Sequence, residues 1–123
     1  MKSAEAAAPP SLYSQAIKAG GFVFVAGQIA QAPKTGDLVE GDIQTQTEVV
    51  FRAIEKILEE AGSSLAQVVR ITVYLSSPAD YAGMNEVYAK FLTDSPPARA
   101  TVAATFLARS VRVEIDAIAI VSE

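Results

Sequence analysis

Arg99 and Glu114 are the side chains whose settings best suit chemistry on a small molecule. Arg99 follows Pro96-Pro97-Ala98. Two prolines cannot continue a helix and hold the backbone extended, so they deliver Arg99 to the start of a strand. Its guanidinium is a planar five-donor fork that can grip a carboxylate through two parallel bonds. Glu114 lies in the alternating run from Val111 to Ile120. Val111, Val113, Ile115, Ala117 and Ala119 share one face of such a strand; Arg112, Glu114, Asp116, Ile118 and Ile120 share the other. The second face starts charged and ends apolar, so part of it must meet something besides bulk water. The expectation is an arginine and a glutamate on neighbouring strands, facing one small pocket in which the carboxylate moves protons. Plainer roles stay open: a seam salt bridge for Arg99, and a cross-strand ion pair with Arg112 or Arg109 for Glu114.

Three further positions could line such a pocket. Gly27 ends the β-rich run Phe22-Val23-Phe24-Val25-Ala26. A glycine there lets a ligand or another backbone approach and leaves its N–H accessible. Tyr13 could stack on, or hydrogen-bond to, a small planar ligand, or serve as an interface aromatic with one wet end. Thr101 could donate a hydroxyl, but a β-branched residue also suits a strand.

Composition narrows the chemistry. The chain has no Cys and no His. Ser-His-Asp and Cys-His arrangements, thiol chemistry and the common zinc sites are thereby removed. Catalysis must come from carboxylates, Arg, Lys, Tyr, hydroxyls, backbone groups and water. With net charge −4 and no basic run, the chain lacks the usual footprint of a nucleic-acid binder. Half the residues are hydrophobic over 123 positions, which fits one folded domain spanning residues 1–123. Residues 1–11 read as a loose or weakly docked end. That segment has neither the apolar core of a secretory signal nor the arginines of a transit peptide. No apolar run approaches the roughly 20 residues of a membrane span, so a cytoplasmic protein is expected.

The elements that must position these residues follow in order. Tyr13 to Lys18 suggests a short strand, Gly20-Gly21 a turn, and Phe22 to Ile29 a second strand. Asp42 is a reasonable helix N-cap; Ile43, Val50, Ile54, Ile57, Leu58 and Ala61 follow at helical spacing, and Gly62 is a stop. Val68 to Leu75 reads as a strand with Val69, Ile71, Val73 and Leu75 on one side. Ser77-Pro78 then opens a helix through Tyr81, Met84, Val87, Tyr88 and Phe91, with Tyr81, Tyr88 and Phe91 expected in the core. Two last strands are joined around Ala108-Arg109-Ser110. The order is β-β-α-β-α-β-β: an α+β fold with a mixed sheet and two helices packed on one face. The other face, expected to carry Ala26, Val73, Val102 and the Ala117–Ile120 run, would build an oligomer.

Several of these pieces together resemble the RidA (YjgF/YER057c/UK114) family. They are Tyr13 with Gln15, Ala26-Gly27-Gln28-Ile29, Pro33-Lys34-Thr35-Gly36, the Asn85…Tyr88…Phe91 helix, Pro97-Ala98-Arg99, and Val113 to Ala119. The resemblance covers nearly the whole chain from Leu12 to Val121. It implies a chorismate-mutase-like homotrimer with clefts between subunits. It implies a cofactor-free deaminase, resembling a 2-iminobutanoate/2-iminopropanoate hydrolase acting on C–N bonds. Such enzymes convert enamine or imine intermediates such as 2-aminoacrylate to 2-keto acids and ammonia. Arg99 matches the arginine that holds the substrate carboxylate, and Glu114 the glutamate associated with the attacking water. Tyr13 matches a cleft tyrosine, and Gly27 a glycine whose N–H meets the ligand. The chain departs from the family pattern at Ser11-Leu12 (often Gly-Pro), at Ala26 (often Ser) and at Thr101 (often Cys). A cleft hydroxyl is thus lost at Ala26. A non-catalytic trimer that binds small carboxylates is the alternative. Ribonuclease or translation inhibition is a third reading, against which the acidic charge and the lack of His count.

Overall fold

Gly20 and Gly21, both at positive φ (59° and 85°), turn the first hairpin. The computed structural model describes Ala6, Ala7 and residues 12–121. The hairpin joins β1 (Ala16–Ala19) to β2 (Phe22–Gln28). Helix α1 (Ile43–Glu60), strand β3 (Val68–Leu75), helix α2 (Tyr81–Phe91), β4 (Ala98–Ala103) and β5 (Val113–Ile120) follow. Single 3-10 turns precede β3 and α2. This is the expected β-β-α-β-α-β-β order. The sheet is mixed, with strand order β1-β2-β5-β3-β4; only the β3–β4 pair is parallel.

Local chemistry explains the helices. Asp42 caps α1 by accepting from the Thr45 N–H at 2.7 Å, and this bond holds its carboxyl below the usual range. Gly62 follows the helix at φ 85°, the left-handed stop that glycine tolerates best. Val50, Phe51, Ile54, Ile57 and Leu58 of α1 are buried, as are Val23, Ile71, Val73 and Ile115 of the sheet. Phe51 stacks on Phe91 (5.1 Å) and meets the edge of Tyr88 (5.7 Å), tying α1 to α2. Gly83 in α2 is there for room: a Cβ would come within 2.5 Å of Ile43 Cγ2 and 2.9 Å of Gln44 Nε2.

Several expectations need correction. The first strand starts at Ala16, which leaves Tyr13 outside the ladder. The cause is a register shift in β2 between Val25 and Gln28, beyond which β1 has no regular edge to follow. A second shift, between Val68 and Arg70 in β3, buries Val68 and turns Val69 outward (38% exposed). Val73 faces the helices and is fully buried, as are Ala117 and Ala119. The open face keeps the expected Val102 and Ile120 and adds Ile17, Phe22 and Phe24, each 40–50% exposed. Tyr81 is not core; it is 49% exposed. The last two strands are not neighbours either. A long connection crosses the end of β3, where the Ser76 N–H donates to Arg112 O and the Ala104 N–H to Leu75 O. At the N-terminus Ala6 is buried and Ala7 O accepts from Gln15 Nε2. The remainder of residues 1–11 lies outside the described residues.

Candidate active site

Tyr13, Ala26, Gly27 and Glu114 line one hollow of about 490 Å³, together with Ser14, Ile29 and Gln31. The β2 bulge places Ala26 and Gly27 beside β5, and Glu114 lies against Gly27. A Cβ on Gly27 would overlap Glu114 Oε2 and stand 3.0 Å from its Cδ. The glycine therefore makes room for the glutamate. Burial pushes the Glu114 carboxyl above its usual range, and the nearby Asp116 charge adds to the rise. Asp116 itself accepts a hydrogen bond from the Tyr74 hydroxyl at 3.1 Å. The cross-strand ion pair that sequence left open for Glu114 does not form: among the described residues Arg112 pairs with Asp80, at 3.4 Å.

Two outcomes follow from this geometry. Gly27 has no positive φ, so its backbone accepts alanine and any effect of Gly27→Ala reports the contact with Glu114. Any turnover that uses Glu114 is expected to fall about 10- to 100-fold, the range for a misplaced reacting group, with the melting temperature measured alongside. The pH profile tests the carboxylate. A base that must be ionised loses activity as pH falls through its pKa, so were Glu114 such a base the acid limb of kcat/KM would mark it. Asp116→Asn removes a neighbouring negative charge, which lowers that pKa and moves the acid limb to lower pH.

Arg99 sits elsewhere. On β3, Ile71 is opposite Arg99 and Tyr74 is opposite Glu114. Positions three apart on a strand face opposite ways, so within one chain the two groups lie on opposite faces of the sheet. The expectation that they share a pocket on neighbouring strands fails for a single chain, because β3 separates β4 from β5. Arg99 faces the helices. Its Nη1 donates to Asn85 Oδ1 (2.8 Å), its Nη2 donates to the Tyr81 hydroxyl (3.2 Å), and its guanidinium lies 4.6 Å over the Tyr88 ring. These contacts use two of its five N–H donors and fix the plane of the fork, leaving the other donors for a ligand. Thr101 is beside it, in a separate hollow walled also by Tyr81. Another hollow, about 540 Å³ between residues 76–80 and 104–112, contains none of the expected site residues.

Sequence reasoning missed the residues that hold the others in place. Asn85 and Tyr81 orient Arg99. Gln46, fully buried in α1, donates from Nε2 to Ser110 O (2.7 Å) and Val39 O (3.2 Å) and accepts from the Arg112 N–H (2.8 Å). It thereby fixes the start of β5, two residues before Glu114, while Ser110 takes a left-handed φ of 66°. The only signal was a polar residue on the apolar stripe of α1. Among the described residues no cluster suited to a metal ion is present, and no helix is long and apolar enough to cross a membrane.

A five-stranded mixed sheet with two helices on one face, and a glutamate hollow on the other, defines a small α+β domain of the YjgF type. The family model described as Endoribonuclease L-PSP matches residues 3–121, and the chain belongs to this YjgF/RidA family. A RutC family protein of Pyrococcus horikoshii is 53% identical over 111 residues, 90% of this chain and 88% of that protein. RidA from an Antarctic Psychrobacter is similar in structure, with a TM-score of 0.91 at 39% identity, covering 98% of this chain and 97% of that one. Escherichia coli TdcF, solved with bound serine, has a TM-score of 0.90 at 31% identity, covering 98% and 97%.

Proposed function

We propose that this protein is a cofactor-free deaminase that hydrolyses small enamine or imine acids of the 2-aminoacrylate type to 2-keto acids and ammonia. The observation that carries the reading is the division of the site into two halves. One half is a fixed guanidinium with free donors on the edge strand β4. The other is a half-buried glutamate of raised pKa in an open hollow. Two different, complementary surfaces on one chain make a head-to-tail contact, which closes into a ring. The ring proposed is the homotrimer of the family, its seams placing Arg99 of one subunit over the Tyr13–Gly27–Glu114 hollow of the next. The exposed Phe22, Phe24 and Ile120 on the open face favour such burial.

In the seam, Arg99 takes the substrate carboxylate and the Gly27 N–H helps orient the ligand. Glu114 accepts a proton from the water that adds to the imine carbon. It returns the proton to nitrogen to give a carbinolamine; Glu114 then carries the hydroxyl proton to the amine, the C–N bond breaks to release ammonia, and the carbon keeps the oxygen as a ketone. The balance is imine plus water to keto acid plus ammonia, and positioning with one proton shuttle suffices. The serine bound by TdcF, a small amino acid, supports a ligand of this size and charge.

RNA cleavage, the activity in the family model's description, is the second reading. It has no histidine to work with and no basic run to hold a phosphate backbone. The test is release of ammonia and keto acid from freshly generated 2-aminoacrylate. Turnover above the spontaneous rate supports the deaminase. Binding without turnover selects a carboxylate-binding module. RNA cleavage by stringently purified protein, undiminished by Arg99→Ala, selects the nuclease.

A further inference from the structure

Glu114 stands where its strand is least supported. β2 follows β5 in register from Phe22 to Val25, then shifts and pairs again only at Gln28, opposite Ile115. Among the described residues, Val113 and Glu114 therefore have ladder partners on one side alone, Leu75 and Tyr74 of β3. Just before them Ser110 takes a φ of 66°, a left-handed conformation that a serine adopts at a cost. Gln46 of α1, fully buried, holds this stretch from beneath with its whole amide. Nε2 donates to Ser110 O at 2.7 Å and to Val39 O at 3.2 Å, and Oε1 accepts from the Arg112 N–H at 2.8 Å. The bond to Val39 leads to a second wall of the Glu114 hollow. The Val39 N–H donates to Ala30 O at 2.7 Å, and Leu38 bridges to Gln31. Ala30 sits between Ile29 and Gln31, which both line the hollow.

We infer that Gln46 is a positioning residue for Glu114: its amide clamps the start of β5 and the segment 30–39 into one unit, and so keeps the glutamate seated against Gly27. Gln46 does not line the hollow and acts only through the backbone groups it bonds. The effect on turnover rests on the role given above to Glu114; the clamp itself does not. An apolar side chain of similar length would leave two carbonyls and one N–H without partners in a dry interior. The strained turn at Ser110 would then relax, moving Arg112 and the glutamate two places further on. Directed bonds from a buried amide specify one arrangement of the segments they join, which apolar packing alone does less sharply.

The test compares Gln46→Met with Thr47→Val. Thr47 is the next residue of α1 and equally buried, and its hydroxyl donates to Ile43 O at 2.7 Å, so its loss removes a buried polar contact that reaches no other segment. The first readout needs no turnover: titration of the Glu114 carboxyl followed by carbon NMR. Burial is the main cause of its raised pKa, so a glutamate that leaves its seat titrates at lower pH. Neither substitution removes the groups around it, which are Tyr13 in the hollow, Arg70 and Tyr74 on β3, and Arg112 and Asp116 on its own run. Gln46→Met is expected to lower the midpoint by about half a pH unit or more, and Thr47→Val to leave it in place. The second readout is turnover of 2-aminoacrylate. In Gln46→Met kcat is expected to fall about 10-fold or more with KM within about threefold, because Arg99 still grips the carboxylate. A midpoint unmoved by Gln46→Met, or moved as far by Thr47→Val, overturns the clamp. A moved midpoint with no imine hydrolysed even by wild type sinks the deaminase reading and leaves the clamp standing. Should Gln46→Met not fold, Gln46→Asn, which keeps the amide but shortens its reach by one methylene, is read in the same way. If neither folds, amide exchange in wild type decides: the Val39 and Arg112 N–H groups are expected to open together, and independent opening overturns the clamp.

Discussion

Arg99→Ala is expected to lower kcat/KM for imine hydrolysis about 100- to 1,000-fold, the loss that follows removal of one partner of a desolvated charge pair. Two features make the effect large. The fork is already oriented by Asn85 and Tyr81 and backed by Tyr88, so little of its binding energy goes into ordering a flexible side chain. Removal also leaves the substrate carboxylate in a half-dry seam with no counter-charge. Arg99→Lys keeps the charge and loses the fork. About a 10-fold loss is expected, because a point charge on a flexible stem neither matches two oxygens nor stacks on Tyr88 in the same plane. The carboxylate is bonded to the reacting carbon but keeps its charge throughout and is held alike before and during reaction, so most of the loss is expected in KM. An Arg99→Ala enzyme within threefold of wild type in kcat/KM would place the carboxylate elsewhere.

How far the sequence carried the reading depends on the kind of information each residue holds. Periodicity gave α1 and its cap, because Asp42, the apolar stripe and Gly62 are all local signals. The exposed β5 face carrying Glu114 was legible for the same reason: alternation of two is a property of one strand. Strand neighbours are not local. The connection from β4 to β5 reads like a hairpin in sequence, yet it crosses the end of β3, and nothing in Ala108-Arg109-Ser110 announces that. The bulges in β2 and β3 were illegible too, because each depends on what the partner strand does. Hence Val69 and Tyr13 were misplaced while Ile71 and Gly27 were not. The family motif supplied the identities of Arg99 and Glu114 but not their separation by the sheet. The supporting roles of Gln46, Asn85 and Tyr81 stayed hidden because each acts on a group distant in sequence.

That separation yields a second large effect. Arg99→Ala and Glu114→Gln chains should each be nearly inactive alone, yet regain activity when they are refolded or co-expressed together. In one chain the two groups occupy opposite faces of the sheet, so in the proposed ring every working site would draw its arginine from one subunit and its glutamate from the next. A seam formed by an intact Arg99 from a Glu114→Gln chain and an intact Glu114 from an Arg99→Ala chain is wild type in both halves. With equal, random mixing, half the chains can give the arginine and half the glutamate, so about a quarter of the seams in a closed ring are restored. Activity should therefore rise from near zero to about a quarter of the wild-type rate per chain, and the rise should follow the product of the two mixing fractions. The symmetric maximum at equal mixing separates this from leakage by either variant, which would vary linearly. Differently tagged chains establish that mixed rings have formed. Mixed rings with no gain in turnover would mean that the guanidinium and the carboxylate do not serve one site, and the seam would lose its claim to the chemistry.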